Sequence, residues 1–286
     1  MKTSKVSWKR IKHLRREFSG RFPGDEFLLD LLKGVWRVAR DKDNPIRGNL
    51  VASALREVVG HTLHSLAPDD EVRKCVWFEQ AKDTKTVTRR QRANYIVHAG
   101  LPQDFVGETL KIDLEGYIEP LLEAINDLNK ATHVRAETIV RKGKEVRYLI
   151  ESVLAGLLDL LDAAADARND LKHAIVDVMH HAVFDNLISE TIQELDEIST
   201  HTCVDGHQID DVDVVEMNAD QVVYEVLGNV EVELQYGSNS DVRKDIGFRM
   251  DDSYPYRAIV ISRAAKPMDI RAGDIDLKVD NSSFFE

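Results

Sequence analysis

Two stretches set an arginine five positions ahead of a histidine: "REVVGH", with Arg56 and His61, and "RNDLKH", with Arg168 and His173. A pair of this kind can cleave RNA without a metal. The 2′-hydroxyl attacks the adjacent phosphate, histidine moves protons near its natural pKa, and arginine holds the charge that develops on the phosphoryl oxygens. DNA lacks that hydroxyl. On a straight helix five positions turn through about 140°, so the two groups meet one phosphate only at a helix end, at a bend or across two protomers. The plainer reading makes Arg56 an exposed or salt-bridged helix residue beside Glu57 and His61 a satisfied helix-face histidine. For Arg168 it is a solvated charge paired with Asp166 or Asp170. His64 extends the first stretch, "LREVVGHTLHSLAP". His133, in "LNKATHV", stands beside Asn129 and Lys130 where a helix gives way to a loop, as a phosphate contact or a cap.

Two further clusters could bear chemistry. "HTCVDGHQID" sets His201, Cys203, Asp205 and His207 at alternate positions, and these ligand types suit a first-row metal. Their spacing fits no zinc pattern, so no metal site is assigned and no cofactor is expected. "EVELQYGSNSD" holds Glu231, Glu233, Gln235 and Asp241, with Asp213 or Glu216 on a neighbouring strand. That set could serve a metal-dependent DNA nuclease, but the lysine such enzymes commonly carry is missing. Exposed acids alternating along an antiparallel strand are the simpler account. The sequence has no Gly-rich phosphate loop, nucleophile elbow, HExxH or EF-hand, which removes the ATPase, serine hydrolase and zincin classes.

The elements that must position these residues follow from periodicity. Trp8, Ile11, Leu14 and Phe18 recur at helical spacing and predict a helix over 7–18. Residues 25–42 and 49–66 repeat the pattern, closed by "DNPIRGN" and by Ala67-Pro68. Thr88 is a capping residue ahead of a basic helix that Gly100 and Pro102 stop. Residues 113–128 are helical, and 144–199 carry a helical pattern too long for one uncapped helix, which predicts two or three helices or a coiled interface. From about Thr200 the period falls to two in "DVDVVEM", "QVVYEVLGNVEVELQY", "YRAIVISRA" and "DIDLKVD", predicting four or more antiparallel strands. The fold class is α+β: a helical domain over residues 1–199 and a small acidic antiparallel β domain over 200–286.

Hydrophobic residues make up 43% and charged residues 31% of the 286, a globular composition rather than a disordered one. The net charge of −12 is unevenly spread. Lys9, Arg10, Lys12, Arg15 and Arg16 make the N-terminal helix basic and suited to phosphate backbones, whereas the β region is acidic. The most apolar run, "YLIESVLAGLLDLLDAAADA", carries four acids and reads as a buried helix, so no membrane span is expected. Two distant cysteines and a basic start without an apolar core point to the cytoplasm.

The phrases "LREVVGHTLHSLAPDDEV", "VTRRQRANYIVHAGLP", "LNKATHV" and "VELQYGSNSDVRKDIG" followed by "DDSYPY" resemble the predicted nucleases that accompany prokaryotic PIWI proteins in bacterial conflict operons. The helical half also resembles the HEPN class, whose RNases use an Arg-x4-6-His motif in a helical bundle and commonly complete the site at a dimer interface. The resemblance implies an RNA-cleaving antiphage effector, a homodimer, and other proteins of a defence operon as partners. It places the arginine on Arg56 and the histidine on His61, with Arg168 and His173 as the alternative and His64 or His133 assisting. A polar residue usually follows the arginine, as Asn169 does; Glu57 departs from this. The rival readings are a non-catalytic partner-binding or sensor subunit and the metal-dependent DNA nuclease.

Overall fold

A computed structural model describes residues 6–82 and 84–285. The chain forms two compact units. One, the helical unit, takes the residues up to Lys74 together with Phe78–Ala99 and Lys111–Ala167; the other, the sheet unit, takes Cys75–Trp77, Gly100–Leu110 and the residues from Arg168 onward.

The helical unit holds α1 (Trp8–Arg21), α2 (Glu26–Arg40), α3 (Arg47–Leu66), α4 (Asp69–Lys74), α5 (Arg89–His98), α6 (Leu114–Thr132) and the first part of α7 (Gly143–Ser189). Local chemistry sets the helix starts. Ser7, Asp25, Thr88 and Asp113 each accept a hydrogen bond from the backbone N–H three residues on, satisfying one donor that a helix N-terminus leaves open. Thr88 and Gln91 complete a reciprocal capping box. Helix α3 is buried on most of its circumference through Val51, Ala52, Leu55, Val58, Val59 and Leu63, and packs against α2, α5 and α6. Its buried Asn49 donates to the carbonyls of Ala131 (2.7 Å) and Thr138 (3.0 Å), and its Oδ1 accepts from Val140 N–H (3.2 Å), pinning the chain that leaves α6. At Gly48 a Cβ would lie 2.4 Å from the Val140 carbonyl oxygen, so this approach requires glycine.

The stretch 144–199, expected to hold two or three helices or a coiled interface, holds two: one unbroken helix from Gly143 to Ser189 and a short one at Gln193–Asp196. The buried stripe Val146, Ile150, Val153, Leu157, Ala164, Leu171, Ile175, Met179, Val183 and Leu187 runs without a break, and no proline interrupts it. The part before Arg168 belongs to the core of the helical unit and the part after it to the sheet unit, so neither end needs an internal stop.

The sheet unit adds α8 (Gln193–Asp196), β1 (His201–Met217), β2 (Gln221–Tyr236), α9 (Asn239–Arg243), β3 (Phe248–Arg263) and β4 (Ile275–Val279). The four strands form an antiparallel meander in the order β1-β2-β3-β4. Val222, Tyr224, Val226, Val230, Val232 and Leu234 of β2 pair across from β3, whose Tyr254, Tyr256, Ala258 and Val260 are buried with them, the period-two alternation of a sheet with one covered face. Strand β1 starts at His201, ten residues before the expected "DVDVVEM" segment, and carries three register shifts, the first between Val204 and Gly206. Gly100 donates to the Asn218 carbonyl (3.1 Å), and a Cβ on it would meet the Ala219 carbonyl oxygen at 2.1 Å. Among the described residues no helix is long and apolar enough to cross a membrane.

Candidate functional site

Helix α3 turns its Gly60–Leu63–His64 side toward α6 and the start of α5, where a cavity of about 640 Å³ opens. Leu122, Ile125 and Asn126 of α6 form one wall; Thr84, Thr86 and Thr88 bring hydroxyls to another, and Arg89, Arg90 and Arg92 sit at its rim. Three arginines in one helical turn at a helix N-terminus oppose the macrodipole, and α5 has no acid in that turn to offset them. Two of the three are neutralised. Arg90 pairs with Glu115 (2.7 Å) and with Glu119, which raises its pKa. Arg92, buried, donates to the Ala67 carbonyl and to Asp69, whose carboxyl it holds below the ordinary range.

Arg89 differs. Among the described residues no hydrogen bond or ion pair engages its guanidinium. Burial of the guanidinium, and then the like charge of Arg56, lower its pKa, although the residue as a whole is exposed. Arg56 stands on α3 one turn before Gly60 and is not among the residues that line the cavity. Its Nη1 lies 3.4 Å from Thr132 Oγ1, a long contact, and its Nε is buried without a hydrogen-bond partner. Of the two plainer readings, exposed or salt-bridged to Glu57, the second is not met: among the described residues no ion pair joins Arg56 to Glu57. A guanidinium with no carboxylate bonded to it among the described residues, Arg89, therefore lines a cavity together with a histidine, His64. In chemical terms this is a receptor for an anion.

The other sequence-predicted residues distribute as follows. His61 faces α2 and not the cavity: its Nε2 lies 2.6 Å from Asp25 Oδ2, and its ring packs edge-on against Phe27. The Leu28 N–H first, and then His61, hold the Asp25 carboxyl below its ordinary pKa. Arg56 and His61 thus look toward different neighbours, as the helical turn requires. His133 is the exposed C-cap residue of α6. In the alternative pair, Arg168 is half-buried and its pKa is lowered by that burial, while His173 is exposed and its Nδ1–H donates to the Asn169 carbonyl of its own helix (2.7 Å).

The basic helix α1 presents Lys9, Arg10, Lys12 and Arg16 to solvent. Arg10 makes a long ion pair with Glu151 (3.5 Å). Arg15 stacks on Trp36 with 4.6 Å to the ring centre. Lys12, Arg15 and Arg16, with Lys33 of α2, rim a groove of about 470 Å³ floored by Leu29 and Leu32.

In the sheet unit the alternating His201, Cys203, Asp205 and His207 do not share a face. The register shift after Val204 takes Asp205 out of the ladder and turns His207 inward. There its Nε2–H donates to the His180 carbonyl and its Nδ1 accepts from the Tyr256 hydroxyl, both at 3.0 Å, and burial lowers its pKa. The β-region acids are bound separately: Glu233 to Arg249 (3.1 Å), Asp213 to Lys172 (3.1 Å), Glu216 to Asn218 (2.6 Å), and Asp241 as part of the α9 capping box. Among the described residues no three His, Cys, Asp or Glu side chains gather as a metal would need.

Arg89 and the threonines ahead of it were missed as site residues in the sequence. The signal was present: "TKTVTRR" puts cations in the first turn of a helix, where they cost stability unless something else requires them.

Two family models match the chain, one over residues 21–157 and one over residues 164–285, and each describes a predicted pPIWI-associating nuclease. No curated protein and no solved structure matches.

Proposed function

For this chain, which belongs to the predicted pPIWI-associating nuclease family, we propose metal-independent cleavage of RNA in the cavity between α3, α5 and α6. The observation that carries the reading is the cavity that His64 and Arg89 line together, with no carboxylate bonded to Arg89 among the described residues. Membership in a nuclease family implies a nucleic-acid partner, and phosphate is the anion such a site would receive.

In this mechanism the 2′-hydroxyl oxygen attacks the adjacent phosphorus and the P–O5′ bond breaks, leaving a 2′,3′-cyclic phosphate and a 5′-hydroxyl. Arg56 holds the phosphoryl oxygens. His64, on the cavity wall, takes the 2′-hydroxyl proton or supplies one to the departing oxygen. His61 is the alternative proton carrier, since a carboxylate bonded to a ring nitrogen fixes the ring's orientation. The homodimer rests on the HEPN resemblance. Lys9, Arg10, Lys12, Arg15 and Arg16 would attract the phosphate backbone in a salt-dependent way. In the cell the protein acts as an effector of an antiphage system in the cytoplasm, with other proteins of the operon as its partners.

The test is incubation of the purified chain with labelled RNA and DNA, in EDTA and in magnesium. RNA loss in EDTA, abolished by His64→Ala, is the expected result. Magnesium-dependent loss of DNA would move the activity to the β-region acids. Absence of cleavage in every condition would favour a partner-binding role.

A further inference from the structure

Helices α1 and α2 meet through two tryptophans, Trp8 and Trp36, whose rings stand edge to face with 5.5 Å between their centres. Three guanidiniums lie on these rings. Arg15 is 4.6 Å from the centre of Trp36, Arg40 is 5.2 Å from Trp36 and 5.9 Å from Trp8, and Arg147 of α7 is 5.9 Å from Trp8. The result is a ladder in the order Arg15, Trp36, Arg40, Trp8, Arg147. Arg147 is held further by donating its Nε–H to the Val6 carbonyl (2.9 Å). At the other end Arg15 also borders the groove between α1 and α2, with Lys12, Arg16 and Lys33 on its rim and Leu29 and Leu32 as its floor.

Other cations of these helices are matched to acids: Arg21 pairs with Asp162 (2.6 Å) and Lys33 with Asp30 (2.8 Å). Among the described residues no carboxylate pairs with Lys12, Arg15, Arg16 or Arg40. The difference is chemical. A carboxylate orients a guanidinium and cancels its charge, whereas an indole face orients it and leaves both the charge and the N–H edge open. No acidic side chain lines the groove beside the ladder. Its ligand is therefore anionic, and the leucine floor calls for flat or apolar parts next to the charge.

A single nucleic-acid strand carries both. Its phosphates suit the N–H edges, and its unstacked bases suit the leucines and the outer guanidinium faces, because bases stack on arginine planes as they do on aromatic rings. A duplex offers the same phosphates but keeps its bases within its own stack. An acidic peptide with leucines offers charge and apolar groups but no flat face.

We propose that the groove between α1 and α2, with the Arg15, Trp36 and Arg40 face beside it, is a binding site for single-stranded RNA that selects an unpaired strand over a duplex. The cations of α1 draw in any polyanion; the groove and the ladder sort by strand state. The choice of RNA rests on the ribonuclease reading, and the preference for an unpaired strand rests on the groove itself.

The test is fluorescence anisotropy with a labelled 2′-O-methyl RNA oligomer, which cannot be cleaved, either alone or annealed to its complement. Alone it should bind about tenfold more tightly, the scale of one stacked base. The double variant Arg15→Lys with Arg40→Lys keeps both charges and removes both flat faces. It should lose that advantage and bind the duplex as the wild type does. Should the double variant melt early, Arg40→Lys alone, at an exposed position, should lose part of the preference.

Equal affinity of the wild type for single strand and duplex overturns the proposal even where RNA is cleaved. Equal weakening of both forms by the lysine variant also overturns it, since Arg15 and Arg40 would then only attract charge. A labelled acidic, leucine-bearing peptide that bound more tightly than the single strand would overturn it too, and would make the groove a protein-docking site. A single-strand preference that depends on Arg15 and Arg40, in a protein that cleaves nothing, would support the groove and remove the ribonuclease reading.

Discussion

Helix α3 and the C-terminal part of α7 carry the same spacing of arginine and histidine in different settings. On α3, Arg56 has a buried Nε without a partner and a second guanidinium, Arg89, close enough to feel its charge; His61 is bonded to Asp25, and His64 opens on a cavity. On α7, Arg168 is half-buried, and His173 turns outward to bond the carbonyl of Asn169 in its own helix. The spacing cannot separate the two, because in both helices it sends the two side chains to different sides. What marks the α3 stretch is what other elements bring to it: α5 and α6 close a cavity on His64, and Arg89 lines the same cavity.

The comparison breaks most readily at histidine. A general acid or base contributes about 10²–10⁴-fold to a rate, so His64→Ala should lower RNA cleavage in EDTA by that range with folding unaffected, because the residue is exposed. His61→Ala should cost less. If His61→Ala cost more, the Asp25–His61 pair would carry the proton and the cavity histidine would only assist.

Arginine sharpens it next. Loss of one preorganised charge donor costs about 10²–10³ in turnover, which is the expected effect of Arg56→Ala on the cleavage rate. Arg168→Ala should leave the rate unchanged, and any loss of stability from its half-buried position would appear in a thermal melt instead.

How far these contrasts were legible in the sequence depends on the range of the interactions behind them. Helix starts were legible because Ser7, Asp25, Thr88 and Asp113 act on backbone N–H groups three residues away. The strands were legible because alternation is local. The continuity of α7 was not, since it depends on two separate cores burying one stripe. Nor was the inward turn of His207, which follows from a register shift against β2. The site residue Arg89 acquires its character from the cavity that residues of α3 and α6, distant in sequence, close around it, and from the lack of an acid that its neighbours Arg90 and Arg92 possess.

A smaller effect concerns Asp25, the contact that distinguishes His61 from His173. Its carboxyl is held below the ordinary value of 3.8 in the folded state, chiefly by the Leu28 N–H and then by His61. A depressed carboxyl pKa stabilises the fold above pH 3.8, and that contribution disappears as pH falls through the lower folded value. Asp25→Ala should therefore cost about 1 kcal/mol at neutral pH, the usual worth of an N-cap. Urea melts should show the gap between variant and wild type closing in strongly acidic buffer. Asp25→Asn, which can still cap, should recover most of the stability while removing the charge beside His61.

The smallest expected effect is at His173. Its ring is exposed and its one bond is to a carbonyl already used by the helix, so His173→Ala removes a local contact and gains helix propensity. Stability should move by no more than about 0.5 kcal/mol, and RNA cleavage should be indistinguishable from wild type. Though small, this result bears most directly on the comparison. A large loss of cleavage in His173→Ala, with His64→Ala still active, would mean that an exposed histidine bonded to the Asn169 carbonyl of its own helix is the proton carrier. The chemistry would then belong to the "RNDLKH" stretch of α7, and the arginines of α3 and α5 would serve only to bind.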